Sequence, residues 1–188
     1  PLNGPEGVNA PPLEGPEQDR AAVIAASNGK FPRMANYSFD YGNSHWLVID
    51  ANRWVDFKDP KLRAWIAADL KNSRATWKFV AVHQPGFNSS DAHFNEQRTR
   101  LVSDLFEAGG VDIVWAGHVH NYQRSFPMKF ANASGPDLRG RVSGDWTLDK
   151  NYDGATRTRP NGPIYIVSGA GGAGLYDKEH ETKPGSWQ

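Results

Sequence analysis

The order of the apolar runs restricts the fold of this 188-residue chain more than any other feature. Three runs are long and continuous enough to be buried strands: "WKFVAV" before His83, "VDIVWA" before Gly117, and "PIYIVS" before Gly169. Segments with helical spacing of apolar residues precede the first run and separate it from the second. This alternation of strands and helices with short connectors predicts an α/β domain.

Turn and cap residues mark the limits of the other elements. Alternating Tyr37, Phe39 and Tyr41 before Gly42-Asn43 predict a β-hairpin. A helix is predicted after Asp59, which has the N-cap position, and its predicted apolar stripe is Leu62, Trp65, Ile66 and Leu70. The second helix carries Leu101, Val102, Leu105 and Phe106, with Gly109 as its predicted C-cap. Beyond Phe126 we expect only a short strand at "FPMKF" before the last buried run.

Composition divides the chain into three parts. Residues 1–35 are rich in proline, glycine and asparagine, so we expect a loop-rich segment in which only "RAAVIAAS" is a short helical or extended piece. Residues 36–176 hold all the strong strand and helix patterns and form the predicted domain. Residues 177–188 are expected to be a truncated tail, so the chain has the character of an interior piece of a longer protein.

Charge and cysteine content exclude several classes of function. Lys plus Arg equal Asp plus Glu at 21 each, and no run of like charge occurs, so nothing indicates binding to nucleic acid or to an anionic membrane. The absence of cysteine excludes disulfides, thiolate ligands and cysteine nucleophiles. Any metal must therefore be held by histidine, carboxylate or amide groups.

Histidines follow two of the predicted buried strands. His83 comes directly after the first, and His118 and His120 follow the second after Gly117. Ligands of open α/β sheets bind beyond the carboxyl ends of the strands, so one site could receive all three side chains. The i, i+2 spacing on extended chain would point His118 and His120 to one side. The pattern favours a metal site; the alternative is hydrogen-bonded histidines in polar turns.

A competing glycine motif does not fit its context. Gly169, Gly171 and Gly174 form G-x-G-x-x-G after the last strand. A dinucleotide site needs a helix opening on the last glycines and an acidic residue about 20 positions later. Pro184 and Gly185 interrupt the following segment, and the sequence ends before such an acid. We interpret the glycines as a strand exit that lets the backbone pass close to the metal site.

Two motifs in this chain resemble a known family. "VAVH", from Val80 to His83, and "GHVH", from Gly117 to His120, are similar to the two C-terminal signature motifs of the calcineurin-like metallophosphoesterases, V-x-x-H and G-H-x-H. The flanking stretches "YSFDYGNSHWLVID", "HQPGFNSS", "VWAGHVHNYQRS" and "GPIYIVSGAGGAGLY" resemble purple acid phosphatases within that superfamily. The resemblance covers residues 36–176 as the C-terminal portion of the catalytic domain.

The resemblance implies a fold, a reaction and residue roles. The fold would be an α/β two-sheet β-sandwich flanked by helices, incomplete at both ends. The implied reaction is hydrolysis of small phosphate esters by a dinuclear centre whose two metals clamp the attacking and leaving oxygens. His83 and His118 would bind a divalent metal, zinc, manganese or iron, and His120 would bind the iron. His93 would contact the phosphate and protonate the leaving oxygen. The alternative interpretation is that His93 is an ordinary residue at the start of the following helix.

The sequence also departs from the family pattern. The family's first three motifs, D-x-H, G-D-x-x-Y and G-N-H-E or G-N-H-D, do not occur ahead of His83, where the family carries them. "GNSH", ending at His45, belongs to the predicted hairpin instead. Ala92 replaces a histidine of plant members, and Gln123 replaces a frequent glutamate. The missing carboxylates would offset repulsion between two cations, so we expect partial or no metal occupancy and little or no activity from these 188 residues alone.

Two alternatives to a phosphomonoesterase remain. One is a phosphodiesterase of the same superfamily, and the other is a non-catalytic binding or structural remnant with an incomplete site. The resemblance also implies an extracellular or periplasmic location, whereas the sequence does not define the natural substrate or the oligomeric state.

Overall fold

The computed structural model describes residues 4–5, 13–28, 35–133, 135 and 140–176 of the chain. The helices are α1 Glu17–Ala26, α2 Pro60–Asn72 and α3 Ser103–Gly109, and a 3₁₀ helix, Arg98–Val102, leads into α3. The strands are β1 Tyr37–Tyr41, β2 Ser44–Ile49, β3 Trp77–Val82, β4 Ile113–Ala116, β5 Tyr122–Arg124, β6 Met128–Asn132, β7 Gly144–Leu148 and β8 Ile164–Ser168. Helix α1 lies within the segment predicted to be loop-rich, and the predicted tail 177–188 lies outside the described residues.

Six strands form the main sheet, in the order β1-β2-β3-β4-β8-β5. The three predicted buried runs are β3, β4 and β8, and they lie side by side and parallel. Strands β1 and β2 form the predicted hairpin, whose turn residue Gly42 has a φ of 58° that suits glycine. Because β2, β3, β4 and β8 are all parallel, their carboxyl ends meet at one edge of the sheet.

The helices begin and end at recognisable cap residues. The Asp59 carboxylate accepts hydrogen bonds from the backbone N–H groups of Lys61 and Leu62, which confirms it as the N-cap of α2. The predicted C-cap of the second helix was wrong by one position. Gly109 is the last residue of α3, and the left-handed cap residue is Gly110, with a φ of 69°.

The two faces of the main sheet differ in burial. One face presents the paired row Leu47, Val80, Val114 and Tyr165, which is fully buried in the core. Helices α2 and α3 and strand β6 contribute Leu62, Ile66, Leu70, Phe106, Met128 and Phe130 to the same core. The neighbouring row on the opposite face, Trp46, Phe79 and Ile113, is only half-buried. The described residues therefore cover this apolar face incompletely.

A second, two-stranded sheet joins β6 and β7 and packs against α3. The sequence predicted β6 from "FPMKF" but missed β7 and the three-residue strand β5. Both missed strands are short, at five and three residues, and their partner strands rather than their own composition define them. The predicted α/β fold with two sheets flanked by helices is confirmed. Among the described residues, no helix has the length and apolar character that a bilayer crossing requires.

A buried histidine lies between two carboxylates beneath the hairpin. The side chain of His45 is within 2.7 Å of Asp40 through Nδ1 and within 2.8 Å of Asp69 through Nε2. Ser38 donates a further hydrogen bond to Asp69 at 2.7 Å. Hydrogen bonds to Asp69, and secondarily to Asp40, raise the pKa of His45 above its ordinary 6.5 even though burial opposes this. The "GNSH" segment therefore forms the turn and the first residues of β2 in the hairpin, as the sequence indicated.

The stability of the domain should depend on the charge of His45. Because the pKa is raised in the folded state, the imidazolium contributes its full stabilisation below pH 6.5 and loses it as pH rises through the folded-state value. Urea unfolding between pH 5.5 and 9 should show wild type more stable than His45→Gln by about 3 kcal/mol at the acidic end, from two charge-assisted hydrogen bonds. The difference should shrink toward alkaline pH. A difference that is constant or grows with pH would contradict this account.

Candidate metal centre

Strand register determines where the predicted ligands lie. Val82 at the end of β3 pairs with Ala116 at the end of β4, so the residues that follow each strand are neighbours. The Gly117 N–H accordingly donates to the His83 carbonyl oxygen at 3.0 Å. One residue later the His118 ring faces the His83 ring, with 4.9 Å between ring centroids. The predicted meeting of side chains from two strand ends therefore occurs in the structure for these two histidines.

The facing nitrogens of these two rings are close. His83 Nε2 and His118 Nδ1 are 3.2 Å apart. Two nitrogens bound to one tetrahedral zinc at 2.0–2.1 Å each lie about 3.4 Å apart. The pair therefore has the donor type and the spacing that a single divalent cation requires, and the residues fit the metal that the fold family implies.

His93 also packs against His118. It comes from the segment between β3 and the 3₁₀ helix, and its ring centroid is 4.0 Å from that of His118. The Glu96 carboxylate joins both rings, with Oε1 2.7 Å from His93 Nδ1 and Oε2 3.1 Å from His118 Nε2. Ligand atoms of His93, Glu96 and His118 all lie within 4.8 Å of one another. The structure thus brings together three predicted site histidines and one carboxylate.

His120 occupies a different position from His118. Its ring stacks on Tyr176, with centroids 4.4 Å apart, and its Nδ1 donates to the Gly174 carbonyl oxygen at 3.0 Å. The Tyr176 hydroxyl is 3.2 Å from His93 Nε2, so Tyr176 connects His120 to His93. The expectation of an extended chain through His118 and His120 was wrong. His118 has a φ of 64°, so the chain is not extended there.

The glycines after β8 allow the chain to pass close to the histidine loop. A Cβ atom at Gly169 would lie 2.1 Å from the carbonyl oxygen of Val119, a distance no side chain can occupy. The Gly169 N–H donates to Asn121 at 3.1 Å on the same loop. No helix follows these glycines through Tyr176. The interpretation of this motif as a close strand exit agrees with these contacts.

Both central histidines have unusual backbone conformations. His93 has a φ of 61° and His118 a φ of 64°, in the left-handed region that disfavours residues with a Cβ atom. Residues held in such conformations cost of order 1–3 kcal/mol each, and they cluster at active and ligand-binding sites. Two of them in ring contact with each other make this cluster a candidate functional site.

Electrostatics keep His118 neutral and Glu96 ionised. Burial lowers the pKa of His118, and the neighbouring His93 and His83 lower it further. Burial alone would raise the pKa of Glu96, but hydrogen bonding from His93 and the nearby His118 lowers it overall. A neutral imidazole is the form that binds a metal ion, so the lowered pKa of His118 favours the form that a cation site needs.

A cleft opens beside His83 at the carboxyl ends of β2, β3 and β4. It has a volume of about 780 Å³, and its walls are mainly apolar. Trp115 and Gln84 line this cleft. The buried Nε1 of Trp115 and the buried Oε1 of Gln84 have no hydrogen-bond partner among the described residues. The histidine cluster therefore borders open space in which a ligand or further polypeptide can lie.

Some site residues were not predicted from sequence. Glu96 was missed because a single glutamate in a loop carries no signal beyond its i+3 spacing from His93. Tyr176 was missed as a contact because it follows a glycine-rich segment far along the chain. Gln123, noted only as a departure from the family, accepts a hydrogen bond from the Ser89 N–H at 2.8 Å and donates to Asn121 at 2.9 Å. It therefore joins the loop after β3 to the loop after β4.

Comparison with known proteins supports the same family. The profile described as "Calcineurin-like phosphoesterase" matches residues 7–122, more than half of the chain. Purple acid phosphatase 23 of Arabidopsis thaliana is 33% identical over 160 residues, covering 82% of this chain and 29% of that protein. The phosphoenolpyruvate phosphatase of Allium cepa is 27% identical over 156 residues, covering 79% of this chain and 29% of that protein.

A solved structure supports the fold. The purple acid phosphatase PPD1 from yellow lupin (Lupinus luteus) seeds superposes with a TM-score of 0.55 at 20% identity, over 92% of this chain and 30% of that one. The chain thus spans about a third or less of the length of these relatives. Because the family profile covers most of the chain, the chain belongs to the calcineurin-like phosphoesterase family.

Proposed function

We propose that this chain is the histidine-rich half of a metal-dependent phosphatase that hydrolyses small phosphate monoesters. The carrying observation is the 3.2 Å separation of His83 Nε2 and His118 Nδ1 at adjacent strand ends, which suits two ligands of one divalent cation. Relatives named as purple acid phosphatases and as a phosphoenolpyruvate phosphatase support the reaction class. A bound metal would supply Lewis-acid polarisation of the phosphoryl oxygens.

Each side chain has a distinct role in this proposal. His83 and His118 hold a divalent cation, which is zinc, manganese or iron. His120 contributes to a second metal ion, which is iron. His93 packs against His118, with Nδ1 held by Glu96 and Nε2 beside the Tyr176 hydroxyl. A protonated His93 could donate its Nε2 proton to the leaving oxygen while Glu96 holds Nδ1.

The dinuclear part of the proposal depends on carboxylates outside this chain. The cleft beside His83 is where such groups could approach the cluster. Phosphodiester hydrolysis is the second candidate, since that open and mainly apolar cleft also has room for a second substituent on phosphorus. An extracellular or periplasmic location is part of the proposal on the family resemblance alone.

The full-length gene product containing this chain provides the test. We expect it to hold two metal ions per chain by elemental analysis and to hydrolyse p-nitrophenyl phosphate. His118→Ala and His120→Ala should each lower turnover by more than about 100-fold. This exceeds the loss of about 10–100-fold that is typical of residues that hydrogen-bond to a metal ligand without binding the metal. Exposed Arg74→Ala is the control and should be unaffected.

Two outcomes would overturn the proposal. One is a metal-free, inactive full-length protein, which would favour a non-catalytic remnant. The other is full turnover in His118→Ala. Faster hydrolysis of bis-p-nitrophenyl phosphate than of the monoester would instead assign phosphodiesterase activity.

A further inference from the structure

We infer that Glu96 is a positioning residue that sets the tautomers of His93 and His118, so that His118 presents an unprotonated Nδ1 to the cation and His93 directs Nε2 to the substrate side. The functional meaning of this inference rests on the proposed function, but the tautomers can be measured without it. The hydrogen bonds of the cluster carry the argument.

An ionised carboxylate only accepts hydrogen bonds, at both of its oxygens. Glu96 Oε1 faces His93 Nδ1 at 2.7 Å, and Oε2 faces His118 Nε2 at 3.1 Å. Each of these ring nitrogens must therefore carry a hydrogen. One carboxylate thus dictates the hydrogen position on two imidazole rings.

A neutral imidazole carries one N–H, so the remaining nitrogen of each ring is an acceptor. For His118 that atom is Nδ1, 3.2 Å from His83 Nε2. For His93 it is Nε2, to which the Tyr176 hydroxyl donates at 3.2 Å. The hydrogen bonds among these rings, Tyr176 and Glu96 then form one consistent arrangement in which Glu96 is the final acceptor.

The carboxylate does more than hold the rings in place. A His118 ring with its hydrogen on Nδ1 would present an N–H to the space that the cation needs, and it would lose that ligand. Hydrogen bonds on the far nitrogen of a ligating histidine fix its tautomer and raise its basicity. Glu96 supplies this to His118 and orients His93 with its second oxygen.

Glutamine at position 96 cannot reproduce this arrangement. Its amide has one oxygen, which accepts, and one NH₂ group, which donates. Whichever way the amide lies, one of the two histidines then faces an N–H and must change its tautomer. Glu96→Gln therefore keeps the size of the side chain and removes one acceptor.

The test uses the metal-free 188-residue chain and two-bond ¹H–¹⁵N correlation spectra of its histidine rings. In wild type we expect the Nε2–H form of His118 and the Nδ1–H form of His93. In Glu96→Gln at least one of them should change form, and in Glu96→Ala both should become tautomer mixtures. Exposed Glu17→Gln is the matched control and should leave both unchanged.

Zinc titration of the same proteins gives the second readout. Where wild type binds zinc, Glu96→Gln should bind it about 10–100-fold more weakly, the loss typical of groups that orient metal ligands. Circular dichroism checks that the variants remain folded, and Glu96→Ala provides a second variant if Glu96→Gln does not fold.

The two hypotheses fail separately. Unchanged tautomers in a folded Glu96 variant, or the opposite tautomers in wild type, would overturn the role of Glu96 whatever happens to zinc binding. Changed tautomers with unchanged zinc affinity would overturn its link to the cation. A wild-type chain with the expected tautomers whose zinc affinity is unaffected by His83→Ala would support Glu96 and count against the proposed cation site.

Discussion

Replacing His93 by alanine is expected to slow the hydrolysis of alkyl phosphates by about 10²–10⁴-fold in the full-length protein, the usual contribution of a general acid. Esters of acidic phenols should be much less affected. An alkoxide is a poor leaving group and needs a proton in the transition state, whereas p-nitrophenolate leaves without one. The size of the defect should therefore follow the basicity of the leaving oxygen.

The structure supports this role through the two nitrogens of His93. Nδ1 is held by Glu96 at 2.7 Å, which fixes the orientation of the ring. Nε2 faces the Tyr176 hydroxyl at 3.2 Å, a contact that a substrate oxygen could replace. The left-handed backbone at His93 directs the ring toward His118, against which it packs.

The measurement is kcat/KM for a series of phosphate monoesters whose alcohols differ in pKa. For wild type the dependence on leaving-group pKa should be shallow, and for His93→Ala it should be steep. Lys71→Ala, at an exposed position in α2, is the control. An equal loss for all esters would assign His93 to binding the phosphate rather than to proton transfer.

The sequence was most informative where local patterns and burial agree. Strands β3, β4 and β8 were predicted because continuous apolar runs of this length suit the interior of a parallel sheet. The cap of α2 was predicted because the Asp59 side chain can accept hydrogen bonds from unpaired N–H groups at a helix start, and the following proline has no N–H group that needs a partner there. The two histidines that follow β3 and β4 could be paired for the same reason, since parallel neighbours end at the same edge.

The rest depends on contacts between distant parts of the chain. Glu96 and His118 are 22 positions apart, and His93 and Tyr176 are 83 apart, so no local periodicity connects them. The left-handed φ of His118 could not be predicted from the sequence either, because histidine adopts that conformation more often than most residues but still only in a minority of cases. The positions of the histidines could thus be anticipated, but their ring orientations could not.

Arg100, a buried cation in the 3₁₀ helix, is expected to be one of the most important residues for stability. Only 4% of it is exposed, and burial lowers the pKa of its guanidinium to about 9, which leaves it charged at neutral pH. The guanidinium lies 4.8–5.4 Å from the ring centroids of three aromatic residues, Phe87, Phe130 and Trp146. It donates to the carbonyl oxygens of Gly86 at 2.7 Å and Val142 at 3.1 Å.

These contacts connect the loop that carries His83 to the second sheet. Gly86 belongs to the segment after β3, and Phe130 and Trp146 belong to β6 and β7. Removing the guanidinium leaves two buried carbonyl groups without a donor, at a cost of about 1–3 kcal/mol each, and removes the cation–π contacts. We therefore expect Arg100→Met, which keeps much of the volume, to lower the free energy of unfolding by about 2–5 kcal/mol.

Arg100→Lys should show how much of this stabilisation depends on the planar guanidinium group. A lysine keeps the charge, but it cannot reproduce the paired donors and flat stacking surface of a guanidinium, so it should also destabilise the domain. Urea unfolding followed by tryptophan fluorescence gives the measurement, and exposed Arg74→Met should change stability by no more than about 0.5 kcal/mol. Buried ions can sometimes be replaced by apolar residues without loss. An Arg100→Met protein as stable as wild type would place Arg100 in that group and remove the structural reason for a cation between the two sheets.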